Sequence, residues 1–159
     1  DPATVSGLFG QGGLPGAVGS ARSPMFQSPA GPGLEMSGRA SVLGTAAQVR
    51  SLGTLLASPN FLPCLTQYES ALVAGAVAGA TVQTQPVTLP TKPGTQAFGV
   101  VTTYTLPGAG SEVVGQAFLL GGRVLSVITP TTSGAPIPSD VFAAVYGKVL
   151  DRVAAASGR

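Results

Sequence analysis

Large apolar side chains recur at two different spacings along this chain, and the change comes near residue 80. From residue 45 to 76 they return every three or four positions, the spacing of one helix face. From residue 81 to 129 they tend to alternate with small or polar residues, the spacing of a strand with one side buried. Val49, Leu52, Leu55 and Leu56 make the first helical stripe, behind Thr45, which suits an N-cap. Phe61, Leu65, Tyr68, Leu72 and Ala76 make the second. Ser58-Pro59 signals its start, a capping residue followed by the residue best suited to a first helical position, and Gly79 signals its stop.

Residues 34–43 predict a weaker strand, with Gly38 marking a bulge or bend. Thr81 to Leu89 alternates weakly, and Pro86 places it at an edge or a bulge. Phe98, Val100, Thr102, Tyr104 and Leu106 share one side of the next strand. Two β-rich runs, Glu112 to Leu120 and Arg123 to Thr129, are joined by Gly121-Gly122, a hairpin signal. Residues 97–129 are therefore expected as three consecutive antiparallel strands. Ser139 and Asp140 open a last helix with Phe142, Val145, Val149 and Val153 as its apolar stripe, Arg152 toward its end and Gly158 beyond it. Leu65, Leu72, Phe142, Val145 and Val149 are expected to be buried where helices meet the sheet.

Short connections between successive strands favour an antiparallel meander, and amphipathic helices need a sheet to bury against. The predicted fold is α+β, a curved antiparallel sheet of four to five strands with helices packed on it. An extended Gly/Pro-rich arm, residues 1–33, precedes the α+β domain at residues 34–159. The arm holds eight Gly and five Pro, and its only charges are Asp1 and Arg22. Such a segment has few apolar groups to offset its ordering entropy, so it is expected to lack a core of its own. Leu8, Phe9, Met25 and Phe26 stand out in it as paired apolar anchors suited to pockets on a protein partner.

Composition narrows the function classes. Charged residues are 9% of the 159 positions and hydrophobic ones 44%, against about 25% charged in ordinary globular chains. The eight basic residues, Arg22, Arg39, Arg50, Lys92, Arg123, Lys148, Arg152 and Arg159, are scattered, which argues against nucleic acid as a partner. With one cysteine, Cys64, and no histidine, neither an internal disulfide, a metal cluster nor a His-based catalytic site is expected. Cys64 itself is expected to be a buried free thiol without a chemical role. The six carboxylates are dispersed, and neither a phosphate loop nor a nucleophile elbow occurs. No catalytic residue, metal site or cofactor is predicted. Phe98 and Tyr104, on one side of a strand, read as core packing or as the wall of an apolar ligand groove. The chain begins Asp1-Pro2 without Met, as a mature secreted protein trimmed at a small-residue site would, and as a boundary within a longer sequence would equally.

Three stretches together resemble a known group of domains. They are Val42-Leu43 through Thr45-Ala46-Ala47 to Ser58-Pro59-Asn60-Phe61-Leu62-Pro63-Cys64-Leu65; Phe118 to Val127; and Ala135-Pro136-Ile137-Pro138 with the helix that follows. The pattern resembles the extracytoplasmic sensor-type and lipoprotein domains of actinobacteria, which have a PsbP/Mog1-like α+β fold. The kinase sensors of that group carry paired cysteines and the lipoproteins a lipidated N-terminal Cys; this chain has neither feature. The resemblance implies a place outside the cytoplasmic membrane, secreted or in the cell envelope. It also implies a binding or accessory role; with the missing catalytic groups and the anchors of the arm, the expected function is a non-enzymatic accessory or interaction subunit of a membrane-associated complex, engaged through the arm. The alternative it leaves open is a carrier or sensor domain for a lipid or other small apolar ligand.

Overall fold

The computed structural model describes residues 14–27 and 33–158. In chain order the elements are β1 (Ala17–Arg22), β2 (Phe26–Gln27), β3 (Glu35–Leu43), α1 (Ala46–Leu56) and α2 (Phe61–Ala76). There follow β4 (Thr81–Val87), β5 (Thr95–Leu106), β6 (Gly110–Gly121), β7 (Val124–Ser133) and α3 (Ser139–Ser157). The fold is α+β. All strand pairs are antiparallel, in the order β1-β3-β7-β6-β5-β4, and β2 joins β3.

Strands β4 to β7 form the expected meander. The hairpin register pairs Gly121 with Val124, so the tight turn is Gly122-Arg123. Gly122 sits at φ 55°, in the left-handed region that a side chain makes costly. Arg123 then ties this turn to the end of β3: its Nε donates to the Leu43 carbonyl at 2.8 Å, and its carbonyl accepts from the Leu43 amide at 2.8 Å.

Helices cover both faces of the sheet. Leu43, Val49, Leu56, Phe61, Leu65, Val100, Phe118 and Leu120 cluster beneath α1 and α2. Met36, Ala117, Leu119, Ile128, Tyr146, Leu150 and Val153 cluster beneath α3. Successive β6 residues thus feed opposite cores, which is why residues 117–121 are apolar or small without a break. Phe61 meets Phe118 edge-on, with ring centroids 6.4 Å apart.

Local signals explain the helix ends. Thr45 and Gln48 form a reciprocal capping box: the Gln48 amide donates to Thr45 Oγ1 at 3.2 Å, and the Thr45 amide to Gln48 Oε1 at 2.9 Å. Helix α2 starts two residues later than Ser58-Pro59 predicts as a cap pair. Ser58 accepts the Asn60 amide on its hydroxyl and the Phe61 amide on its carbonyl, and Pro59 occupies the turn between. Ser139 is the first residue of α3 rather than its cap.

Several expected burials are corrected. Leu65 is fully buried, but Leu72 is 53% exposed. Helix α2 packs chiefly over β4, an edge strand, so its later turns have no sheet beyond them. Cys64 is exposed, not buried: it precedes the inward-facing Leu65 in the first turn of α2 and so lies on the outer side of the helix. On α3 the buried stripe is Tyr146, Leu150 and Val153, while Phe142, Val145 and Val149 are half-buried. Tyr146 can face the core because its hydroxyl donates to the Pro90 carbonyl. Gly38 lies in unbroken register on β7, opposite Ile128; the irregularity is in β1, between Ala17 and Gly19.

The described part of the arm lies on the sheet. The five strands from residue 35 onward match the expected number, and β1 and β2 add to them from within residues 14–27. Leu14 is buried in the core cluster under α1 and α2. Ser23 locks β1 to Gly38: its amide donates to the Gly38 carbonyl, and its hydroxyl accepts from the Gly38 amide, both at 2.8 Å.

Candidate functional site

The two aromatic residues singled out on β5 share a face but not a site. They are six residues apart on one strand, or about 20 Å. Phe98 is half-buried against the α1–α2 core and lines a cleft of about 450 Å³ with Leu56, Phe61, Leu62 and Pro86. Tyr104 does not line that cleft. Its hydroxyl donates to Glu69 Oε2 of α2 at 3.0 Å. Burial raises the Tyr104 pKa, and the Glu69 and Glu112 charges raise it further, so the phenol stays protonated in neutral solution. Burial also raises the Glu69 carboxyl above its ordinary value, partly offset by the Tyr104 hydrogen bond. The pair joins helix to strand as a donor and an acceptor.

Of the four arm anchors, Leu8 and Phe9 lie outside the described residues. Met25 and Phe26 lie where the arm runs along β3, with Phe26 opposite Met36. Both are more than half exposed, at 59% and 58%. Val18 and Val42, near the outer end of the β1–β3 pair, are exposed as well.

A trough runs beside α3, on the face where that helix packs chiefly on β6 and β7 and leaves β3 and β1 uncovered. Its floor is made of small residues brought together by strand pairing: Ala21 of β1 lies opposite Ala40 of β3, with Gly38 two positions along. Val145 and Val149 of α3 form one wall. One segment, of about 570 Å³, is lined by Phe26, Leu34, Met36, Ile128 and Val141. The other, of about 460 Å³, is lined by Ser126, Arg22 and Arg39 among others. Val149 and Arg152 line both segments, so the two adjoin along α3.

Arg152 of α3 is the charged side chain that faces either segment; Arg22 and Arg39 border it with their backbone, because their register with Val127 and Phe118 turns their side chains to the α1–α2 face. Arg22 and Arg39 face each other across the β1–β3 pair. The Arg39 pKa is lowered by burial first and by the Arg22 charge second. Arg152 is exposed and has no hydrogen bond or ion pair among the described residues. In the sequence Arg152 reads only as a helix-end charge, and Val145 and Val149 read as core. Nothing there aligns Ala21 with Ala40, since that pairing arises between arm and domain.

Among the described residues no three of His, Cys, Asp and Glu come together as metal ligands. No described helix is long and apolar enough to cross a membrane. Lys92 and Asp151 form an exposed ion pair that joins the β4–β5 loop to α3.

No family model matches the sequence, and no curated protein matches it. Among solved structures the chain is similar to a protein of unknown function from Pseudomonas aeruginosa, at 17% identity over 86% of this chain and 84% of that one. The TM-score of that likeness is 0.37, too low to carry an argument about fold or function.

Proposed function

We propose that this chain is a non-enzymatic, extracytoplasmic protein of the cell envelope, an accessory or interaction subunit of a membrane-associated complex. The observation that supports it most is the placement of Met25 and Phe26. Two large apolar side chains, adjacent in sequence and more than half exposed, stand where the arm runs along β3. Aromatic and Met residues are enriched in partner interfaces, where they anchor in pockets of the other protein. The resemblance to actinobacterial extracytoplasmic domains supplies the compartment in this proposal.

The test uses the full chain, tagged, in its native host. Met25→Ser with Phe26→Ser removes the anchors without touching either core. The variant is expected to keep the wild-type melting temperature but to migrate on a native gel as the free chain, where wild type migrates in a larger assembly. Wild type migrating as the free chain, or a variant that still migrates in the assembly, refutes the reading. Recovery of the wild-type protein in the cytosolic fraction refutes the compartment.

The apolar-ligand reading has one observation in its favour, the apolar trough beside α3.

A further inference from the structure

The trough beside α3 combines three properties that together select an occupant. It is apolar over most of its length, its floor is cleared by small residues, and the charged side chain facing it is a cation, Arg152. An extended peptide needs partners for its own backbone groups. The floor strands β3 and β7 are already paired on both sides, so they have few backbone groups left to offer a peptide. An acyl chain needs no such partners, and each methylene taken from water is favourable. The segment volumes of about 460 and 570 Å³ fall in the range of small-molecule sites, roughly 300–1,000 Å³.

We propose that this trough binds one long-chain fatty acid, with its carboxylate at Arg152 and its chain running past Val149 and Val145 toward Val141 and Phe26. From Arg152 to Val141 the helix rises about 16 Å, a path suited to an extended acyl chain. The guanidinium fork matches a carboxylate in two parallel hydrogen bonds, and Arg152 has no partner among the described residues to give up. The inference rests on the apolar-ligand reading; it shares Phe26 with the proposed partner surface but not Met25.

The test is a fluorescence titration of the purified, delipidated full chain with cis-parinaric acid, followed by displacement. Wild type is expected to bind one equivalent saturably, with oleate displacing it and the methyl ester of oleate competing more weakly. Arg152→Glu, a change on the exposed side of the helix, is expected to weaken binding by about tenfold or more through charge reversal. Ala40→Leu, which fills the floor, is expected to abolish it. Thr54→Glu, exposed on α1 over the opposite face, is expected to bind as wild type does. Absence of saturable binding overturns the proposal, as does unchanged affinity in Arg152→Glu, or binding to phospholipid vesicles with none to the monomeric acid. If parinarate fails to bind while the native assembly forms, the lipid site is refuted and the partner reading stands. If parinarate binds while no assembly forms, the partner reading is refuted and the lipid site stands.

Discussion

Leu65 and Leu72 occupy one helix, seven residues apart, and the fold assigns them very different energies. Leu65 is fully buried in the cluster that includes Phe61, Val100 and Phe118, whereas Leu72 is 53% exposed. Truncating a buried leucine to alanine removes its transfer energy and leaves a cavity, which together cost about 2–5 kcal/mol. Leu65 has no exposed surface to soften this, so Leu65→Ala is expected at roughly 3–4 kcal/mol. A fully buried leucine is worth about 1.5–3 kcal/mol in transfer energy, so half-burial leaves Leu72 about 1 kcal/mol. Alanine's better helix propensity offsets a little of that, and an exposed position leaves no closed cavity. Leu72→Ala is therefore expected to cost less than ~1 kcal/mol. Urea unfolding followed by circular dichroism reads both values as shifts in midpoint at constant slope. Equal losses in the two variants would refute the placement of α2 over the sheet edge. A loss below about 1 kcal/mol in Leu65→Ala would refute the core itself.

Gly121→Ala tests the closeness of α3 to β6: an added Cβ would lie 2.9 Å from Val153 Cγ1 and 3.2 Å from the Val153 carbonyl, and would strike Ser157 Oγ. The expected loss in the same urea assay is about 1–3 kcal/mol. Cys64, exposed on α2, is expected to react with a thiol reagent in the native protein nearly as fast as in the unfolded one, and Cys64→Ser to change stability by less than about 0.5 kcal/mol. The Glu69 carboxyl has a raised pKa in the folded chain, so the folded state holds its proton more tightly than the unfolded one. Its contribution is fully present below the ordinary value of 4.5 and is lost as pH rises through the folded value. The stability difference between wild type and Glu69→Gln should therefore drift against wild type across that window; parallel curves from pH 4 upward would contradict it. Deletion of residues 1–33 should lower the melting temperature, because it removes Leu14 from the core and β1 from the sheet edge.

The strands from β4 to β7 were legible because alternation and turn chemistry agreed. Phe98 to Leu106 alternates, and Gly122 has the conformational freedom that the two-residue turn requires. Thr45 was legible as a cap from its residue type just before the first apolar stripe, and the structure adds Gln48 as its reciprocal partner. The stripe of α3 was not, because Val145 and Val149 repeat at the same interval as Tyr146 and Leu150, one position round the helix. A tyrosine is read as the wetter choice until the Pro90 carbonyl that accepts its hydroxyl is in view. Strand β1 was hidden in composition: Ala-Val-Gly-Ser-Ala-Arg is exposed along nearly its whole length and signals no periodicity. The trough followed it out of sight, since its distinguishing residues are small ones whose importance lies in what stands opposite them.

If this protein works by binding through the edge where Met25 and Phe26 emerge, a partner must lie within reach of that edge in the cell. Photo-crosslinking reads this out, with a photoreactive phenylalanine analogue in place of Phe26 in the full chain, expressed in the native host. One discrete crosslinked species is expected at position 26, enriched in the envelope fraction, and none from the same analogue at Thr54 on the far face. No crosslink at position 26, or equal yields at both positions, would contradict a partner surface there.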